Sequence, residues 1–505
     1  MNFRYSLIVS LLLGLSITGF AQKETPDYRP QYHFTPPKNW TNDPNGLVYS
    51  DGKYHLFYQY NPFGNQWGHM SWGHATSTDL INWNHLSLAL PEYNNADGSE
   101  SMIFSGSAVV DKQNSSGFFT KGQTNGLVAI YTAFVHRNLA PIYQHQNLAY
   151  SGDDGKTWQY YKQNPVLDLK SKDFRDPKVF WYAPQQKWVM TVSKADRQQA
   201  YFYESHDLKS WKFMSRWGRA GNTARVWECP DLIEVSVQGE KTKKWVLFIS
   251  SGNPQELYPG MQYFVGEFDG KSFKPDQAYE EPEYVDFGKD FFAGVTFNNA
   301  PNDRKILLGW VNDWEYANDI PTGGEWRGAF SVPRELSLKR TAKGFELIQW
   351  PVSELKKGQK EAFSTQNLKV TSNYEVPFRG NIFDLELTLK PQQAKVFELK
   401  LLQSTDEETV LRYDVSEQTL SLDRTHSGNV SFNPKFASVE KVRVPLKDGK
   451  LQLRVLADKS IIEVFAQNGE KTLTDLVFPL KKEGKLSISS SGGESVINLL
   501  KINSW

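Results

Sequence analysis

Apolar positions along this chain come in short aromatic and β-branched runs, broken throughout by Gly, Asn, Asp and Pro. Gly46-Leu47-Val48-Tyr49 and Tyr54-His55-Leu56-Phe57-Tyr58-Gln59-Tyr60 are of this kind, and long helical periodicities are nearly absent. Short runs bounded by turn residues predict strands, so the fold class is all-β. Beyond Arg340 the texture changes: Trp becomes rare, and strict alternation sets in at Asn381-Ile382-Phe383-Asp384-Leu385-Glu386-Leu387-Thr388-Leu389 and Leu451-Gln452-Leu453-Arg454-Val455-Leu456. Period-two alternation with one apolar face predicts a β-sandwich.

The first part carries an internal repeat. Ser77-Thr78-Asp79-Leu80-Ile81-Asn82-Trp83 returns as Ser151-Gly152-Asp153-Asp154-Gly155-Lys156-Thr157-Trp158 and as Ser205-His206-Asp207-Leu208-Lys209-Ser210-Trp211, with a weaker copy at Phe268-Asp269-Gly270-Lys271-Ser272-Phe273. Each copy reads as a strand end, a turn and an aromatic. Copies lie roughly 55 to 75 residues apart, far longer than a β-helix repeat and suited to four-stranded propeller blades with long loops. Between Tyr32 and about Arg340 there is room for five blades. The predicted organisation is a five-bladed β-propeller over residues 28–340, a linker over 341–365 rich in Lys, Glu and Gln, and a C-terminal β-sandwich over 366–505.

Composition narrows the function. Lys plus Arg and Asp plus Glu are balanced at 57 each, so no basic field attracts nucleic acid or an anionic membrane. The N-terminus reads as a signal peptide over residues 1–21: Arg4, an apolar stretch from Leu7 to Phe20, then small residues ending at Ala21. Export is expected, to periplasm, cell surface or medium, with no membrane span after cleavage. The single cysteine, Cys229, permits no internal disulfide and reads as a small buried residue. No His/Cys cluster has metal-ligand spacing, so neither metal nor cofactor is expected. Sixteen Trp suit a β-rich core, with sugar-stacking platforms as the alternative.

The candidate chemistry lies in three carboxylates. Asp43 stands in Asn42-Asp43-Pro44-Asn45-Gly46, Asp176 in Arg175-Asp176-Pro177-Lys178, and Glu228 in Trp227-Glu228-Cys229-Pro230. Each is followed by a proline one or two residues on and then by a strand-like run. Equivalent places in successive blades would gather all three at one mouth of the central channel. In an exported, Trp-rich protein, paired carboxylates point to glycoside cleavage, which needs an acid for the leaving oxygen and a carboxylate at the oxocarbenium-like centre. Spacing along the chain leaves retaining and inverting geometries both open.

Taken in order, Trp40-Thr41-Asn42-Asp43-Pro44-Asn45-Gly46, Phe104-Ser105-Gly106-Ser107, Phe174-Arg175-Asp176-Pro177 and Trp227-Glu228-Cys229-Pro230 resemble the motif series of glycoside hydrolase family 32, which contains invertases, levanases and inulinases. The resemblance continues through Gly309-Trp310-Val311-Asn312-Asp313-Trp314 and Trp326-Arg327-Gly328-Ala329-Phe330, and into Ser460-Ile461-Ile462-Glu463-Val464-Phe465. It implies a five-bladed propeller with an appended sandwich, and retention of configuration. It implies Asp43 as nucleophile on a β-fructofuranosyl unit, Glu228 as general acid and then base, and Asp176 as transition-state stabiliser with Arg175 beside it. Asn42, Gln59, Trp67, Phe104, Ser105 and Trp314 match positions lining the fructose pocket. The sequence departs at Phe292, where members often carry Tyr, so a hydroxyl near the acid/base is missing. Trp314-Glu315-Tyr316-Ala317-Asn318-Asp319-Ile320-Pro321-Thr322 looks most like exo-acting microbial fructanases. The expected substrate is therefore a fructan, levan or inulin, with sucrose also accepted. The alternatives are a sucrose-specific invertase, an endo-fructanase, a transfructosylase, and a fructan-binding protein that would not need all three acids. Oligomeric state is left open.

Overall fold

The computed structural model describes residues 27–252, 259–277, 279 and 281–505. The predicted signal peptide at 1–21 lies outside the described residues. The fold is a five-bladed propeller followed by a β-sandwich. The innermost strand of each blade is labelled here: β1 (Asn39–Ser50), β2 (Glu100–Val110), β3 (Arg175–Tyr182), β4 (Glu228–Ser236) and β5 (Phe292–Thr296). Each pairs antiparallel with the next long strand of its blade, and each packs against the inner strand of the next blade around a central channel, with β5 returning to β1. Backbone bonds help to close the ring: Asn298 N–H donates to the Leu47 carbonyl at 2.8 Å, and Tyr49 N–H to the Asn298 carbonyl at 2.9 Å.

The repeated Ser–Asp–Trp unit is the outer turn of a blade. Asp79 Oδ1 accepts the backbone N–H groups of Ile81 and Asn82, and the Trp83 indole donates to the Leu80 carbonyl at 3.1 Å. Asp207 and Trp211 repeat the arrangement in the third blade, and Asp269 repeats its backbone contacts in the fourth. An Asx turn supplies its own acceptors, which explains why so short a sequence recurs with its geometry intact.

A second repetition has no sequence signature. In every innermost strand, three steps are matched by two on the neighbouring strand: Thr41 to Pro44 in β1, Ile103 to Gly106 in β2, Arg175 to Lys178 in β3, Glu228 to Asp231 in β4 and Phe292 to Val295 in β5. Each is a one-residue β-bulge, which bends the strand and re-aims side chains. All five stand at one mouth of the channel.

The stretch 341–365, predicted as a linker, is mostly strand. Gly344–Pro351 is the last strand of the fifth blade, and Lys360–Thr365 is an edge strand of the sandwich. Lys360–Thr365 is exposed along most of its length, which gives it the polar composition of a loop. The sandwich packs two six-stranded layers around Phe383, Leu385, Leu399, Tyr413 and Val464, with the short strand Leu368–Val370 added beside Ser495–Ser504.

The two parts are joined through a buried polar seam. The Arg334 guanidinium, in the fifth blade, bonds Glu463 at 2.5 Å and Asp286 at 2.9 Å, and His33 bridges Asp458 and Glu463 at 2.9 Å each. Gly288 lies so close to the sandwich that a Cβ there would stand 2.2 Å from the Thr474 backbone.

Candidate active site

Most of the predicted site residues stand in the bulges. Asn42 and Asp43 come from β1, Phe104 and Ser105 from β2, Arg175 and Asp176 from β3, and Glu228 from β4. The three acids do not hold one equivalent position, as the proline contexts had suggested. By register Glu228 matches Arg175 and Phe292, Asp176 matches Asn42 and Cys229, and Asp43 matches Ser105. Each acid takes a different step of its bulge, so the side chains converge from different directions. Asp176 and Cys229 adopt left-handed backbone, with φ of 64° and 46°. Such conformations cost about 1–3 kcal/mol in non-glycine residues and recur at functional sites.

Asp43 is held at both oxygens. The Ser105 hydroxyl donates to Oδ2 at 2.5 Å and the Asn42 amide to Oδ1 at 3.0 Å. Asn42 is itself fixed by the Trp40 indole, which donates to its Oδ1 at 2.7 Å. Cys229 joins two of the acids: its Sγ lies 3.6 Å from Asp43 Oδ2 and 3.7 Å from Asp176 Oδ2, and its backbone N–H donates to Asp176 Oδ2 at 3.0 Å. Arg175 joins Asp176 to Glu228. Its Nε and Nη2 both donate to Glu228 Oε1 at 3.1 Å, and Nε lies 3.9 Å from Asp176 Oδ2. Among the described residues Glu228 Oε2 takes no hydrogen bond.

The remaining predicted residues frame this group. Gln59 donates to Asn45 Oδ1 at 2.7 Å and to the Ile103 carbonyl at 2.9 Å, tying the first blade to the bulge of the second. Trp67 packs edge-on against Phe104, which stacks on Phe134 at 4.5 Å. Trp314 stacks on Trp40 at 6.0 Å and lies 4.7 Å from Trp310. Phe292 is buried among the apolar residues behind the site, which include Cys229 and Trp310. Two contributors have no local signal in the sequence: Thr132, whose Oγ1 accepts the Asp176 backbone N–H at 2.9 Å, and the Cys229 thiol. Adjacency to Glu228 was the one available hint for Cys229.

Burial sets the electrostatics. It raises the Asp43 carboxyl above its ordinary range, while the Ser105 and Asn42 hydrogen bonds pull it back and the charge of Glu228 pushes it up again. Asp176 is raised further, to about 7, by burial against the countering charge of Arg175, with Glu228 and Asp43 adding to the rise. Burial works against a charged Arg175, yet Glu228, Asp176 and Asp173 around it hold the guanidinium protonated. Mutually repelling carboxyls in one dry site titrate as a set rather than one by one. The rise at Asp176 had no signal in the sequence.

Residues 33–351 match the profile of the glycosyl hydrolases family 32 N-terminal domain, and residues 352–505 match that of the family 32 C-terminal domain. The chain belongs to glycoside hydrolase family 32. Its relatives include a levanase of Bacillus subtilis, 42% identical over 98% of this chain and 74% of the relative. An extracellular exo-inulinase of Aspergillus awamori is 38% identical over 97% of this chain and 96% of the relative. A crystal structure of the Aspergillus awamori exo-inulinase superposes with a TM-score of 0.89 at 36% identity, covering 95% of this chain and 98% of that one. The family 32 enzyme described here is accordingly a glycoside hydrolase, and its bulged channel mouth is the place where its carboxylates meet.

Proposed function

We propose that this family 32 enzyme is an exported, retaining β-fructofuranosidase that releases terminal fructose from levan or inulin and also accepts sucrose. Asp43 attacks the anomeric carbon, Glu228 protonates the leaving oxygen and then deprotonates water, and Asp176 with Arg175 holds ring hydroxyls in the transition state. The observation that carries this reading is the linkage of Asp43, Asp176 and Glu228 through Cys229 and Arg175, with Asp43 pinned at both oxygens. A nucleophile fixed in one orientation loses little freedom on attack. The Glu228 oxygen left unbonded by Arg175 is the one available to a leaving group. Sugar hydroxyls donating to Asp176 replace lost solvation and favour its ionised form. The levanase and exo-inulinase relatives support a fructan as substrate.

Exo action is supported by a braced wall on one side of the site. The Trp67 backbone N–H donates to Asn318 Oδ1 at 3.2 Å, and the Asn65 amide to the Gly324 carbonyl at 2.6 Å. Two rim loops are thereby joined beside Trp314. The sandwich props the second of them: Lys435 pairs with Glu315, and the Asn433 amide donates to Asp319 Oδ2 at 2.7 Å. Bracing is the role this gives the sandwich.

The test is hydrolysis of levan, inulin and sucrose with the products resolved and their first-formed anomer read by NMR. Free β-fructofuranose is expected from all three. Asp43→Asn and Glu228→Gln are each expected to lower turnover by about 10³-fold or more. Short oligosaccharides without free fructose would mean endo cleavage, and near-native turnover in either variant would overturn the role assignment.

A further inference from the structure

The innermost strands begin at the catalytic mouth and end at the opposite mouth of the channel. There a hollow of about 580 Å³ opens among four blades, within the size range of small-molecule sites. Its walls are unusually aromatic. Phe180, Trp181 and Tyr182 end β3, and Trp245 reaches in from the fourth blade. The Trp245 ring lies 5.5 Å from Phe180 and 6.1 Å from Tyr182, while Trp181, on the other face of the strand, packs 5.0 Å from Trp188. All four wall aromatics keep part of their surface in solvent. Among the described residues, the indole N–H groups of Trp181 and Trp245 make no hydrogen bond. Lys112 and Lys305 on the rim are balanced by Glu234 and Asp303.

This hollow is not the rear of the catalytic pocket. Lys178 bonds Asp231 at 3.1 Å and the Thr296 carbonyl at 2.5 Å across the channel, and the Asn298 amide spans to the carbonyls of Ala108 at 2.9 Å and Val179 at 3.0 Å. These cross-links, buried at Lys178 and half-buried at Asn298, span the bore between the two mouths. Tyr182 stands about six residues beyond Asp176 on the same strand, roughly 20 Å away at ~3.3 Å per residue.

We propose that this far mouth is a second carbohydrate site, which grips a stretch of neutral fructan chain while the bulged mouth trims a chain end. A charge-balanced rim gives an anion no advantage, and the carboxylates and ammonium groups interrupt any surface a lipid would use. A hydroxyl-rich neutral chain matches both parts of the hollow: its C–H faces lie on the aromatic rings, and its hydroxyls meet mixed donors and acceptors, including the two free indole N–H groups. The identity of the ligand rests on the proposed function; the existence of the site does not.

The experiment is affinity electrophoresis of the full-length enzyme in gels containing levan or inulin, with and without saturating free fructose to occupy the catalytic pocket. Wild-type enzyme is expected to remain retarded in the presence of fructose. The double variant Trp181→Ala/Trp245→Ala is expected to lose that retardation while hydrolysing sucrose at the wild-type rate, with kcat/KM reduced for polymer alone. Should free fructose abolish wild-type retardation, the second site is wrong; that arm needs no variant, so a folding failure in the double variant cannot obscure it. Retardation kept by a folded double variant would also overturn it. Failure of the proposed function would show separately, as absent fructose release by wild-type enzyme.

Discussion

At the scale of single residues, Ser105 controls Asp43. Its 2.5 Å hydrogen bond favours the ionised carboxylate against burial, which favours the neutral one. Ser105→Ala removes a donor to the charged form, so the Asp43 pKa rises and the acid limb of the kcat/KM profile moves to higher pH. Burial is expected to place the wild-type limb above the ordinary aspartate range and the variant's limb higher still, with a loss of turnover even at the optimum. A profile unchanged in position would detach Ser105 from Asp43. At this scale the sequence was informative where a residue carried its own chemistry: Asp43, Asp176 and Glu228 stood out as acids before turns. It was silent on Thr132, which reaches Asp176 across the fold, and incomplete on Cys229, which is the small buried residue expected but also lies against two of the acids. A lone cysteine reads as packing because a thiol's partners are set by tertiary structure.

At the scale of elements, the start of β1 depends on a close approach by Gly328. This residue has φ of 93°, and a Cβ there would lie 2.1 Å from the Thr41 carbonyl oxygen. Gly328→Ala is expected to displace the segment leading to Asn42 and Asp43, costing about 1–3 kcal/mol of stability and lowering kcat more than KM rises. Thermal melting and steady-state kinetics together check this. The strand-turn-aromatic repeat was readable because Asp79, Asp207 and Asp269 specify their turns locally. The bulges were not, because a one-residue mismatch belongs to a pair of strands and neither strand encodes it alone. The edge strand Lys360–Thr365 was mistaken for linker for a related reason: exposed on most of its length, it has the composition of a loop.

At the scale of the whole molecule, propeller and sandwich share a seam of buried charges. Arg334 sits between Glu463 and Asp286, and Arg334→Met leaves Asp286 buried without its cation and Glu463 with His33 alone. Loss of one partner from such a group costs about 3–5 kcal/mol, measurable by chemical denaturation. Burial disfavours a charged His33, but its hydrogen bonds to Asp458 and Glu463 prevail and raise it to about 9. A raised folded-state pKa contributes stability that is complete below the unfolded value near 6.5 and is lost as pH rises toward 9. The melting temperature is therefore expected to fall across that interval, and His33→Gln is expected to flatten the fall. The two-part division was legible from the change of texture after Arg340. The seam was not, since His33, Arg334 and Glu463 lie in separate stretches, each unremarkable by itself.

The mismatch shared by the five inner strands has an evolutionary consequence. Asn42, Asp43, Phe104, Ser105 and Asp176, five of the side chains proposed to meet substrate, hang from residues the ladder leaves unpaired, so much of the mouth's chemistry is written apart from the ring's assembly. Randomising Asn42, Phe104, Ser105 and Cys229 together is expected to yield many folded proteins with altered sugar preference, whereas equal numbers of changes at the paired positions Val48, Val109, Val179 and Leu232 yield few. A scaffold divided in this way can acquire a new substrate without first being rebuilt.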